Sequence, residues 1–161
     1  MKNRTSILTS AALLAALAGT GAQAASGEVP FNGAVTNTCV LQAATPGTMV
    51  SSGDAKTLSS RTAEGGVSGS VQVLATGPLF KVTTTAPAGF TAGPADRNTN
   101  TSFETFYSLN GVTTLDQVAG TTESSVSVGI TNMLVDLKAT KTSGIFSAGA
   151  DYKALVTVTC E

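Results

Sequence analysis

Apolar and polar residues alternate with a period of two along most of the chain, the spacing that places successive side chains on opposite faces of a strand. Val29, Phe31, Gly33 and Val35 fall on one face, and Glu28, Pro30, Asn32 and Ala34 on the other. Val67, Gly69, Val71 and Val73 alternate with Ser68, Ser70 and Gln72. Further strand-like runs are 79–85, 103–109, 112–118, 126–130, 133–139 and 152–160. Asn110-Gly111 lies between two of them, a dipeptide suited to a tight hairpin turn. Segments 43–55, 87–101 and 142–150 carry Gly, Pro and small polar residues and read as loops. No long helical period follows residue 24, and no internal repeat is visible. The pattern predicts an all-β, Ig-like sandwich of seven to nine short strands.

The amino end has a different pattern. Lys2 and Arg4 precede an apolar run over 11–18, and Ala22-Gln23-Ala24 follows. A charged region, an apolar core and small residues at a cleavage site, in that order, predict a signal peptide over 1–24. The expected mature domain is 25–161, exported, and without an integral membrane segment because no later run approaches about 20 apolar residues.

Composition narrows the function. Charged residues make up 12% of the chain, about half the usual share. Removing Lys2 and Arg4 from nine basic residues leaves the ten acids in excess by three. With no basic patch, nucleic acid is not an expected partner. The chain lacks His, so the commonest general base and zinc ligand are missing. Its carboxylates are spaced singly, which predicts surface charges; Asp136, between Val135 and Leu137, is expected to face solvent. The oxygen-rich stretch Asp96 to Asn100 is a calcium or sugar contact at most, with a solvated loop the simpler expectation. No cofactor, metal site or catalytic residue is expected. Cys39 and Cys160 are the two cysteines. In an oxidising compartment they are expected to form a disulfide joining the start of the domain to its end.

The run 27–41, GEVPFNGAVTNTCVL, carries a more specific signal. Gly27, Val29, Phe31, Gly33, Val35 and Cys39 resemble the amino-terminal region of bacterial chaperone–usher fimbrial subunits of the type 1 pilin kind. The stretch Leu58 to Gly66 ahead of a strand, and the alternating end 152–160, are similar to those subunits too. The ending also resembles spore-coat-U-like secreted domains. The resemblance implies a sandwich lacking one strand, completed by a strand from outside. The donor segment would be about 27–36, with Val29, Phe31 and Val35 as apolar knobs and Gly33 at the close approach of two backbones. The carboxy-terminal strand, with Tyr152, Ala154, Val156 and Val158, would provide edge or chaperone pairing. The implied partners are other pilus subunits, in a homo- or hetero-polymer, with a periplasmic chaperone and an outer-membrane usher. The location would be the periplasm in transit, then the pilus, cell surface or medium.

Two rivals make different demands. A monomeric carbohydrate-binding adhesin needs several of Phe80, Phe90, Phe103, Phe106, Tyr107, Phe146 and Tyr152 on one exposed face. A secreted hydrolase needs two carboxylates about 5–10 Å apart in a cleft.

Overall fold

The computed structural model describes Ser26, residues 28–148 and residues 151–161. The expected signal peptide and Gly27 lie outside these residues. Ten strands form in chain order: β1 (Cys39–Thr45), β2 (Val50–Ser51), β3 (Thr57–Ser59), β4 (Gly69–Ala75), β5 (Lys81–Thr85), β6 (Thr101–Gly111), β7 (Leu115–Ala119), β8 (Ser124–Ser125), β9 (Gly129–Lys141) and β10 (Thr157–Cys160). Thr62–Glu64 is a single 3₁₀ turn closed by Gly65 at a φ of 88°. Gly66 is needed for a second reason: a Cβ there would stand 2.5 Å from the Ser59 carbonyl oxygen.

Two antiparallel sheets result, so the all-β sandwich expected from the alternation is what forms. In the larger, β9 is the spine. One edge pairs from Thr131 to Lys141 with the whole of β6, which pairs with β7. The other edge pairs first with β4, from Gly129 to Val135, and then with β3, from Lys138 to Thr140. β1 flanks β4 and β2 flanks β3. The smaller sheet has the order β10-β5-β8. Val71, Val73, Ala75, Tyr107, Leu109 and Met133 of the large sheet meet Val82 and Val126 in one core, with Val158 and Cys160 packed against it. Tyr107 is fully buried and its hydroxyl is held by the Thr122 carbonyl and the Ser124 hydroxyl, each at 2.6 Å. Leu58, Phe90, Ala139 and Phe146 form a second core.

Several local expectations are corrected. Asn110-Gly111 is not the hairpin turn. β9 is long enough to pair with all of β6, placing Asn110 opposite Asn132 and Gly111 opposite Thr131. These ladder bonds override the local preference and move the β6–β7 turn to 112–114. Runs 126–130 and 133–139 do not form two strands: residues from Gly129 onward continue in β9 without a break, while Val126 is buried ahead of it. The presumed loop 43–55 contains the end of β1 and all of β2. Run 152–160 is paired strand only from Thr157, apart from a bridge between Lys153 and Ala92. Residues 28–38 lie outside every strand.

Asp136 is also corrected. It points away from the core, as alternation predicts, but it is 4% exposed rather than solvated. The segment leading into the 3₁₀ turn covers it. Ser60 Oγ donates to one carboxylate oxygen at 3.1 Å and Gln117 Nε2 to the other at 2.7 Å. Arg61 reinforces the cover, with its guanidinium on Gln117 and 4.8 Å from the Phe106 ring centre.

Candidate functional site

The inner face of the large sheet is mainly apolar, with Thr105 and Thr131 buried among the apolar side chains, and the small sheet covers only part of it. β10 is four residues long and β5 five. Beyond them lies a groove of about 550 Å³. Its floor is Val71 of β4 with Val135 and Leu137 of β9, and Leu41 of β1 lines one side. Residues Ala154, Leu155, Val156 and Val158 line the other. Leu41 pairs opposite Val73, so it shares the inward face, yet it is 38% exposed. Val73, on the same face but beneath the small sheet, is fully buried.

Both walls present backbone that no strand pairs among the described residues. β1 pairs with β4 on one edge and, among the described residues, with no strand on the other. It carries an irregularity between Gln42 and Thr45, where Ala43 takes a φ of 49°. On the opposite wall, Ala154, Leu155 and Val156 make no backbone hydrogen bond among the described residues. A free strand edge facing an unpaired backbone segment across an apolar floor has the chemistry to accept an additional strand: N–H and C=O groups give affinity, and pockets for alternate side chains give selectivity.

The disulfide closes one end. Cys39 begins β1, Cys160 ends β10, and they are bonded with their Cα atoms 6.1 Å apart. β1 runs away from this link and β10 runs toward it, so the walls diverge from the bond. The link closes a loop of 121 residues, which in the chain-entropy model stabilises the fold by about 4–5 kcal/mol.

The sequence-derived candidates are distributed as follows. Ala154, Val156 and Val158 reach the groove wall; Tyr152 does not. Its ring packs edge-on against Phe90 and Phe146 at 5.1 and 5.3 Å, in an interior aromatic cluster that also includes Phe103. Val29, Phe31 and Val35 are exposed, Phe31 at 93%. Gly33 has open space where a side chain would stand. Leu41, Val71, Val135 and Leu137 were not singled out as site residues. Their alternation marks an inward face, and nothing local marks which part of that face is left uncovered.

Other candidate chemistry is accounted for by intramolecular contacts. The carbonyls of Asp96 and Thr99 do surround a cation, but it is the Lys141 ammonium, 2.7 Å from each. Asn98 is used on the Phe90 backbone. No cluster of three metal-ligating side chains occurs among the described residues. Glu64 is a surface carboxylate: partial burial raises its pKa, but the Ser59 hydroxyl, Lys138 and Arg61 together bring it below the ordinary value. Burial pushes the Tyr107 phenol up, against the Ser124 hydrogen bond.

No helix among the described residues is long and apolar enough to cross a membrane. Comparison with known proteins gave no matching family model, no curated relative and no similar solved structure.

Proposed function

We propose that this chain is an exported, non-enzymatic structural subunit of a pilus or related surface fibre, assembled by strand donation. The observation that carries this reading is the apolar groove between the free edge of β1 and the unpaired backbone of 154–156. The occupant is residues 28–35 of a second copy or a related subunit. That segment lies outside every strand, and its apolar residues recur with strand spacing and are exposed. Inserted, it would pair with β1 on one side and 154–156 on the other. Each apolar side chain fully buried would contribute about 1.5–3 kcal/mol. In transit a periplasmic chaperone would occupy the same groove, and an outer-membrane usher would pass the subunit on. Adhesion would be a property of the assembled fibre. The rival carbohydrate-binding module draws no support from the aromatic residues, because Phe90 and Phe146, at the centre of their cluster, are buried.

The test is truncation and complementation in trans. The mature chain lacking 25–36 should stay monomeric and unfold at a lower temperature than the assembled intact chain. It should regain stability when a synthetic peptide of 25–36 is added. A truncated chain that is stable alone and indifferent to the peptide would remove the basis of the proposal.

A further inference from the structure

We infer that Thr76 is a specificity residue of the groove: it holds Thr36 to Thr38 in line with β1, so that the donor segment serves another copy and is denied to its own groove. This inference rests on the strand-donation reading. Without such a device, the segment fits the groove of its own chain well. A three-residue hairpin loop is a common connection. Placed at Thr36, Asn37 and Thr38, it would set Val35 opposite Cys39, Gly33 opposite Leu41 and Phe31 opposite Ala43. Val35 and Gly33 would share the inward register of β1, and Phe31 would meet its irregularity at Ala43. Self-filling would then compete with assembly at the high effective concentration of a short tether.

Those three residues are the ones the fold holds. Thr38 N donates to Thr76 Oγ1 at 2.8 Å, and Thr76 N donates to the Thr38 carbonyl at 2.9 Å. Thr76 Oγ1 lies 3.0 Å from the Thr36 carbonyl as a donor. The Asn37 side chain lies over Gly77, where any side chain would collide with it. Cys39 pairs with Ala75, so these contacts continue the β1–β4 register straight past the disulfide, on the edge away from the groove. A reversal must then fall at or before Val35. A three-residue loop at Gly33, Ala34 and Val35 leaves Val29 opposite Cys39 and Phe31 opposite Asn37, beyond the closed end. A two-residue turn at Ala34 and Val35 shifts the register by one and turns the apolar side chains to the outer face. In either case the groove is not filled by its own segment, whereas a segment from another copy enters without restriction.

The experiment compares uptake of a labelled 25–36 peptide by the intact mature chain at concentrations where it is monomeric. In Thr76→Val combined with Thr38→Gly, the hydroxyl contacts are lost and the loop gains a residue tolerant of left-handed backbone. Peptide affinity should fall at least tenfold, the melting temperature should rise, and assembly should stop. Deleting 25–36 from this variant should restore peptide uptake, showing that the segment itself blocks the groove. Thr76→Val alone should give a smaller fall, and Thr76→Ser, which keeps the hydroxyl, should behave as wild type; these single variants report even if the double variant does not fold. Wild-type peptide affinity in both Thr76→Val variants would overturn the role of Thr76. Failure of the truncated wild-type chain to bind the peptide would instead overturn strand donation itself.

Discussion

The two halves of the large sheet's inner face are built from the same residue types and have different fates. In one part, Val73, Tyr107 and Met133 are fully buried in the core that Val82, Val126 and Val158 help close. In the other, Leu41 remains partly open and Val71, Val135 and Leu137 line the groove, although Val71 stands opposite Met133 and Val135 opposite Tyr107, so the boundary runs between neighbouring strands. Neither half is more polar than the other. The difference is the supply of strands: β10 and β5 end before the large sheet does. Burial in a sandwich therefore depends on the length of the opposing sheet as much as on the hydrophobicity of the residue.

The comparison can be broken experimentally. The largest effect is expected from replacing both cysteines with serine, since the disulfide fixes the end shared by the closed core and the groove. The loss should approach about 4–5 kcal/mol by loop-closure entropy, read from denaturant unfolding. Met133→Ala in the closed half should cost about 2–5 kcal/mol, with or without added 25–36 peptide. Leu41→Ala should cost the isolated truncated chain less than about 1 kcal/mol, because its side chain is already partly in water. Its cost should grow when the peptide is bound. A Leu41→Ala penalty equal to that of Met133→Ala in the isolated chain would show that the two halves do not differ.

The smallest effect is electrostatic and sharpens the contrast with the outer face. Glu64 has a native pKa below its ordinary value of 4.5. Its contribution is present above the unfolded-state pKa and lost as pH falls through the lowered native value. Glu64→Gln should flatten the acid limb of stability against pH by a small amount, because the pair is near the surface. Tyr107, raised by burial, should act at the other extreme: its contribution is complete below about pH 10 and is lost as pH rises through the native value.

Alternation made most strands legible, because the period of two is a property of neighbouring residues. β5 lies within a run of that kind, as do most of β4, β6 and β9. The short strands β2, β3 and β8 were not legible, since two or three residues carry no period. Their pairing comes from partners elsewhere in the chain, as when Val50 finds Ser59. Asn110-Gly111 misled for a related reason: a dipeptide's turn preference is weak beside an eleven-residue ladder to β9. Alternation turns Asp136 away from the core and predicts that it faces solvent, but no local signal reveals that Ser60 and Gln117 cover it.

By itself, the sequence determined the all-β class, the inward face of the main strands and the chemistry open to its two cysteines. Each of these follows from residue type and spacing. The tertiary structure decided which inward-facing residues are covered, where the free edges lie and that Thr76 holds Thr36 to Thr38 in line with β1. Those outcomes depend on which strands meet and where each one ends, and these are relations between residues far apart in the chain.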